Sequence, residues 1–275
     1  MLNLTANKLS RVMILSSLLS SLLTYFAIVA FVLLSIWIGI HLGQYIQRHK
    51  KNGKNLSAGS IVSAMLALLG FMLALTLSLV SSRYAARKAL VLEEANALGT
   101  AILRTDFLEE PLRTQSRQLL IDYVDLRSQV QDIKNKSQLQ KLLVDSEAIQ
   151  DELWSLANKA SSEEKETEVF ALYIQSLNEV IDLHSERYNQ GLQYRLHPTI
   201  WLLTYFVTML AMVAVGYEFG LSNSGSVLGF LLLALMFSAI VLVILDLDKT
   251  ATKSLIPVSQ QPILDLQEKL KSSNK

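Results

Sequence analysis

Residues 56–82 read LSAGSIVSAMLALLGFMLALTLSLVSS and contain no Asp, Glu, Lys or Arg. An α-helix rises about 1.5 Å per residue, so this stretch is long enough to cross the roughly 30 Å of hydrocarbon in a bilayer. A charged side chain at the centre of a membrane helix costs about 2.5–3.5 kcal/mol on insertion scales. Long uncharged runs are therefore typical of membrane spans, and this one predicts a transmembrane helix.

Three other stretches share this uncharged, apolar character. They cover residues 12–40, 199–217 and 221–245, and Glu218 stands in the short turn predicted between the last two. The first is much longer than the roughly 7–15 apolar residues of a signal peptide, so we expect it to remain as a span. The sequence predicts an all-α membrane protein with four transmembrane helices in two pairs, 12–40 with 56–82 and 199–217 with 221–245.

The polar segment between the two pairs is also predicted to be helical. Residues 83–89 read RYAARKA, without Gly or Pro, so the second helix should continue beyond the membrane to about Leu108. After Pro111, three more apolar stripes recur at helical spacing. The predicted organisation is an N-terminal membrane pair (1–82), a four-helix extramembrane region (83–198), a C-terminal membrane pair (199–245) and a tail (246–275).

Composition and charge agree with a membrane protein and argue against a nucleic-acid-binding protein. Hydrophobic residues make up 51% of the chain and charged residues 18%, against about 25% charged in soluble domains. Residues 83–198 hold 14 Lys or Arg and 19 Asp or Glu, a net charge of −5, while the rest of the chain is basic. The extramembrane region is thus mildly acidic, which is unfavourable for binding phosphate backbones.

The sequence offers no motif of catalysis or of metal binding. There is no Cys, which excludes disulfides and thiolate sites. No HExxH, GxSxG, Walker or GxGxxG pattern occurs, and no acidic and His residues form a metal loop. We therefore predict neither an enzyme nor a bound metal or cofactor.

The second span has one face of small side chains, spaced three or four residues apart. They are Ser63, Ala67, Gly70, Ala74, Ser78 and Ser81, and leucines occupy the opposite side. Small residues let helix backbones approach closely, so tight packing against another helix is one interpretation. The other is that these residues line an ion pathway around a symmetry axis.

Several charged residues stand where an isolated charge would be unfavourable. Asp246 and Asp248 end the fourth span at the negative end of its helix dipole, so they require basic partners, for which Lys249 and Lys253 are the local candidates. A salt-bridge belt at the interface and a ring of charge at a pore mouth are both open interpretations. Glu94 and Arg104 lie on the apolar stripe of the extended second helix, where an inter-helix ion pair is expected. Asn96 could cap or bridge a neighbouring helix.

Four segments carry a resemblance to a known family. Residues 86–108 read ARKALVLEEANALGTAILRTDFL, and residues 117–127 read RQLLIDYVDLR. These segments, with LDLDK at 245–249 and IPVSQQPILDL at 256–266, resemble the bacterial bestrophin-like domain family, which has no assigned function. The matching positions are Glu94, Ala95, Asn96, Ala97, Leu98, Arg104, Pro111, Tyr123, Val124 and Trp201. One departure is KTATKS at 249–254, where the family usually has Pro-Phe and a Gly.

The resemblance implies a fold like that of bestrophins, which are pentameric anion channels with a helical vestibule. It suggests a homo-oligomer in which the second span lines an axial pathway, with Arg83, Arg87 and Lys88 drawing a small anion to its mouth. The alternative is a non-conducting membrane scaffold or sensor whose helical region binds a partner protein. The absence of charge inside the spans favours this alternative, because transport pathways often carry a charge.

The membrane location is predicted to be a bacterial inner or plasma membrane. Four spans place both termini and the extramembrane region on the same side. Counts of Lys and Arg beside the spans do not decide the side once the long segment is excluded. The likeness to bestrophins favours the cytoplasm.

Overall fold

The computed structural model describes residues 2–49, 58–133, 135–163, 168–193, 195–222, 227–249 and 254–273. Within these ranges the chain is helical and forms no strand. The helices are α1 (Leu2–His49), α2 (Gly59–Thr105), α3 (Leu112–Ser128), α4 (Lys136–Glu163), α5 (Glu168–Tyr188), α6 (Pro198–Ser222), α7 (Val227–Asp248) and α8 (Gln261–Ser273). The predicted all-α architecture is confirmed.

Among the described residues, four helices are long and apolar enough to cross a membrane. They cover Leu19–His49, Gly59–Thr105, Pro198–Ser222 and Leu228–Asp248, as expected from the four uncharged stretches. Many large apolar side chains on these helices point outward, such as Phe71 at 61% and Leu202 at 71% exposure. A soluble protein rarely exposes so much apolar surface, whereas lipid tails solvate it. The chain is therefore a multi-pass membrane protein.

The chain divides into two compact units. The membrane unit contains α1, α2 up to Ser82, α6, α7 and the segment up to Ile256. The helical unit contains α2 from Arg83 onward, α3, α4, α5 and α8. Each unit has its own buried apolar core.

Glycines bring α1 and α6 into backbone contact in the membrane unit. Gly39 and Gly43 lie one turn apart on α1, and Gly216 and Gly220 lie one turn apart on α6. A Cβ at Gly216 would overlap the carbonyl oxygen of Ile36, and a Cβ at Gly220 would lie 3.0 Å from the Cα of Gly43. Small residues at this spacing allow membrane helices to approach more closely than larger side chains permit.

The rest of the membrane core is formed by larger apolar residues from all four helices. Fully or almost fully buried members are Val32, Ile36, Leu69, Leu73, Val80, Ala211, Met212, Ala234 and Ile244. In α2 the leucines opposite the small residues supply this contact, since Leu69 and Leu73 are 0% and 2% exposed.

The structure corrects the predicted turn near Glu218. α6 continues through Glu218 to Ser222, and α7 begins at Val227 rather than at the predicted Leu221. The Glu218 carboxylate accepts the backbone N–H of Ala58 at 2.5 Å, just before α2 begins. Ala58 lies at the N-terminus of α2, which is the positive end of the dipole of that helix. A carboxylate is favourable there, so this contact stabilises the charge of Glu218, which itself lies on α6.

The helical unit packs around a second core that includes the tail. Tyr123, Leu120, Tyr173, Leu98 and Leu177 are almost completely buried at its centre. The tail helix α8 adds Ile263, which is also fully buried, so α8 belongs to this core. The predicted Asp partner Lys253 lies outside the described residues.

Candidate functional site

The small-residue face of α2 is not covered by the described part of the chain. Ser63, Ala67, Gly70, Ala74 and Ser78 are all exposed. No atom lies within 4 Å of the position that a Cβ on Gly70 would occupy. Among the described residues, this face therefore takes no part in close helix packing, and it is available to line a pathway or to meet another molecule.

Basic residues follow this face where α2 continues into the helical unit. Arg83 and Arg87 are partly buried and Lys88 is exposed. An Arg side chain carries a permanent charge and presents several N–H donors to an anion. The helix thus passes from an uncharged stretch with exposed hydroxyls to three basic positions within two turns.

Glu94 forms the centre of a buried ionic cluster in the helical unit. Its side chain is 0% exposed, and Arg127 Nε on α3 donates to Glu94 Oε1 at 2.9 Å. Arg187 Nη1 on α5 contacts Glu94 Oε2, and Arg187 Nη2 donates to Gln260 Oε1 at 2.8 Å. This cluster of Glu94, Arg127, Arg187 and Gln260 joins α2, α3, α5 and the start of the tail helix.

The charges of this cluster persist despite burial. Removal from water lowers the pKa of Arg187 to about 10 and also lowers that of Arg127, because the charged form is poorly solvated. A guanidinium group is not deprotonated in proteins, so both side chains keep their positive charge at neutral pH. Two buried positive charges therefore share one carboxylate.

The other residues predicted to join this charge set have different surroundings. Arg104 is partly buried, and its Nη1 donates to the backbone carbonyl of Leu172 at 2.6 Å instead of pairing with an acid. Asn96 is exposed on the face of α2 opposite the core. Arg104 lies almost three turns beyond Glu94, so the two cannot belong to the same cluster.

Asp246 and Asp248 accept backbone and side-chain N–H groups at the end of α7. Asp246 accepts the backbone N–H of Leu255 at 2.9 Å and the hydroxyl of Ser254 at 2.9 Å, with Lys249 Nζ at 3.5 Å. Asp248 accepts the backbone N–H of Leu196 at 3.0 Å and the indole N–H of Trp201 at 3.3 Å. These bonds fix the chain entering α6 and the chain leaving α7.

A hydrogen-bonded chain of neutral groups lies beside the ionic cluster. Gln150 Nε2 donates to the Tyr123 hydroxyl at 3.0 Å, and that hydroxyl lies 3.0 Å from His184 Nδ1. The direction of the Tyr123–His184 hydrogen bond depends on the imidazole tautomer, because the hydroxyl can either donate to Nδ1 or accept from it. Burial and the nearby Arg127 charge lower the pKa of His184 to about 4.

The neutral state of His184 predicts an acid-dependent loss of stability. Its folded pKa of about 4 lies below the ordinary value of 6.5, so its contribution is complete above pH 6.5 and is lost as the pH falls toward 4. Between pH 6.5 and pH 4, the free energy of unfolding of the wild-type protein should fall by roughly 2–4 kcal/mol more than that of His184→Gln. Unfolding measured at several pH values for both proteins tests this, and parallel curves would contradict it.

The described residues hold no group of three or more His, Asp or Glu side chains that could bind a metal ion.

Comparison with known proteins gives one family match and several structural matches. A family model described as Bestrophin-like domain matches residues 26–250. A crystal structure of a bacterial bestrophin homologue from Klebsiella pneumoniae, carrying a point mutation, is 12% identical with a TM-score of 0.64. It matches over 90% of this chain and 98% of its own. No curated protein sequence matches the chain.

Two other crystal structures give similar values. A membrane protein variant is 13% identical, with a TM-score of 0.65 over 90% of this chain and 97% of its own. Another variant of the Klebsiella pneumoniae homologue is 15% identical, with a TM-score of 0.60 over 89% of this chain and 99% of its own. At these identities the likeness establishes the fold and not the activity.

Proposed function

Because the chain belongs to the bestrophin-like family, over residues 26–250, we propose that it forms a homo-oligomeric anion channel. In this proposal α2 from each copy lines an axial pathway through the membrane. The helical unit forms the vestibule, and the helical unit and both termini lie in the cytoplasm. No catalytic activity and no cofactor are part of this function.

The observation that carries the proposal is the exposed small-residue face of α2. Ser63, Gly70 and Ser78 lie on a membrane helix and are exposed in the described part of the chain, and a Cβ on Gly70 would meet open space there. Small side chains leave room along an axis, and hydroxyl groups can replace part of the hydration shell of a passing ion. The leucines on the other side of α2 hold the helix against its own membrane core.

The basic residues beyond the span supply the preference for anions. Arg83, Arg87 and Lys88 follow the uncharged stretch directly. Positive charges at a pore mouth raise the local concentration of anions and disfavour cations. The permeant species is accordingly a small anion.

Conductance with altered ion preference is the expected result of a charge reversal at the mouth. The wild-type protein in planar bilayers should conduct above empty membranes, and Arg83→Glu with Arg87→Glu should lower the anion-to-cation permeability ratio by roughly tenfold. Reversal potentials in asymmetric salt measure this ratio. The matched control is Lys141→Glu with Lys269→Glu, which changes the net charge equally at exposed positions on α4 and α8.

Two results would contradict the channel proposal. One is the absence of conductance above empty membranes in any simple salt. The other is an equal effect of the control pair and the Arg83 and Arg87 pair on ion preference, because general surface charge would then explain it.

A non-conducting scaffold or sensor is the second candidate, and one observation favours it. Within the described residues, the uncharged stretches of α2 and α7 contain no Asp, Glu, Lys or Arg that could bind an ion inside the membrane. Transport pathways through a membrane often carry such a charge. The mass of the purified particle in detergent separates the two functions. A monomer or dimer of the 30.7 kDa chain cannot surround a pore with one helix per copy.

A further inference from the structure

An exposed apolar pair follows the fourth membrane span. Leu255 and Ile256 are 39% and 50% exposed, and they belong to residues 254–256, which we call the post-span segment. This segment is part of the membrane unit, whereas Pro257 already belongs to the helical unit. What surrounds the two exposed side chains depends on the depth at which the post-span segment lies.

The carboxylate of Asp246 fixes that depth. It accepts the backbone N–H of Leu255 at 2.9 Å, the backbone N–H of Ile256 at 3.2 Å and the hydroxyl of Ser254 at 2.9 Å. Asp246 lies in the last turn of α7, and its side chain is only 4% exposed. Because three donors converge on this buried carboxylate, the post-span segment is held at the level of the last turn of α7.

The last turn of α7 lies at the boundary between hydrocarbon and lipid headgroups. The uncharged stretch of α7 ends directly before Asp246. Two residues further, Asp248 accepts the indole N–H of Trp201 at 3.3 Å, and Trp201 stacks on Tyr205 with ring centroids 5.8 Å apart. Trp and Tyr are enriched at membrane–water interfaces, where their apolar rings and polar tips suit the two environments. The post-span segment therefore lies at this interface.

Basic side chains at the same end of the membrane unit favour lipid over another protein as the partner. Lys249 Nζ lies 3.5 Å from Asp246 Oδ1, and its side chain is 29% exposed. Arg195 is exposed and precedes Leu196, whose backbone N–H donates to Asp248. Exposed apolar residues accompanied by Lys and Arg are typical of segments that lie on a bilayer. The apolar groups enter the acyl boundary there, and the cations face the lipid phosphates.

We propose that the post-span segment is a lipid-binding anchor, in which Leu255 and Ile256 enter the boundary between headgroups and acyl chains. The occupant is lipid because the segment continues the lipid-facing surface of α7, where Val243 is 45% exposed. The anchor holds the chain at the membrane surface just before the segment that leads to the tail helix α8. It does not depend on conduction, so its tests are separate from those of the channel.

Spin labelling tests the anchor, because the wild-type chain has no Cys. Leu255→Cys carrying a nitroxide is reconstituted in liposomes of phosphatidylcholine and phosphatidylglycerol. Its collision rates with oxygen and with a water-soluble nickel chelate are then measured, since oxygen concentrates in hydrocarbon and the chelate stays in water. We expect the ratio of the two rates to place the label roughly 5–10 Å below the lipid phosphates.

Two reference positions define the scale of this measurement. Val243→Cys on α7, at a site that is 45% exposed, represents lipid, and Val144→Cys on α4, at a site that is 57% exposed, represents water. The ratio of oxygen to nickel accessibility at Leu255→Cys should exceed that at Val144→Cys several-fold. A nickel accessibility as high as that at Val144→Cys would overturn the proposal, because the segment would then lie in water. Low accessibility to both reagents would also overturn it, because protein would then cover the segment.

A further variant tests whether Asp246 holds the anchor in place. Asp246→Ala removes the acceptor of the two backbone N–H groups, so the label at Leu255→Cys should become more mobile and its nickel accessibility should rise several-fold. The label at Val243→Cys in the same background should keep its spectrum. An unchanged depth at Leu255→Cys contradicts this role of Asp246. An equal change at Val243→Cys also contradicts it, because the whole end of α7 would then have moved.

Discussion

Replacing Glu94 with glutamine should strongly destabilise the helical unit. Glu94→Gln keeps the size of the side chain but leaves Arg127 and Arg187 buried without a counter-charge. Breaking a buried ion pair by removing one partner costs about 3–5 kcal/mol, because the remaining charge is neither solvated nor paired. We expect the midpoint of thermal unfolding in detergent, followed by circular dichroism, to fall markedly and the yield of folded protein to drop.

Glu152→Gln on α4 is the matched control, since it makes the same chemical change at an exposed position. It should leave the unfolding midpoint almost unchanged, because exposed charges contribute about 0–1 kcal/mol. Arg187→Gln in the Glu94→Gln background should add less destabilisation than it causes alone, which a double-mutant cycle measures. If Glu94→Gln is as stable as Glu152→Gln, the buried cluster does not stabilise the helical unit.

Substituting alanine for Gly216 should weaken the membrane unit by a different mechanism. The added methyl group would overlap the carbonyl oxygen of Ile36 and lie 3.0 Å from the backbone nitrogen of Ile40. Backbone atoms cannot move aside as a flexible side chain can, so α6 must shift away from α1. Overpacking typically costs about 1–3 kcal/mol and can cost more, so we expect the unfolding midpoint to fall by roughly 5 °C.

Gly70→Ala on α2 provides the comparison, because it makes the same substitution where nothing lies within 4 Å. Alanine is favoured over glycine within a helix by about 1 kcal/mol, so this variant should be neutral or slightly stabilised. Intrinsic fluorescence of the three Trp residues can follow unfolding in both variants. The close contact of α1 with α6 would be contradicted if both glycine variants changed stability in the same direction and by the same amount.

The local sequence was sufficient to predict the four membrane-spanning helices. Four uncharged stretches predicted four spans, because the cost of placing a charge in hydrocarbon is evident from composition alone. Residues 83–89 predicted that α2 extends beyond the membrane, since nothing in them ends a helix. The family resemblance, drawn from short motifs around Glu94 and Tyr123, is confirmed by the match over residues 26–250.

Some contacts could have been found from the sequence but were missed. Gly39 with Gly43 and Gly216 with Gly220 each have the GxxxG spacing inside an apolar stretch, which is a known signal for close helix packing. The continuation of α6 through Glu218 gave no such signal, because its partner is the backbone N–H of Ala58, 160 residues away.

The sequence by itself determined which segments enter the bilayer, because the solvent selects residues one by one according to their charge. Only the tertiary structure decided which charges meet: Glu94 lies between Arg127 and Arg187 because α2, α3 and α5 pack together, 33 and more residues apart in the chain. It also decided that the leucines of α2 face the core while Gly70 stays uncovered. Helical periodicity defines two faces of a helix, but only the neighbouring helices determine which of them is buried.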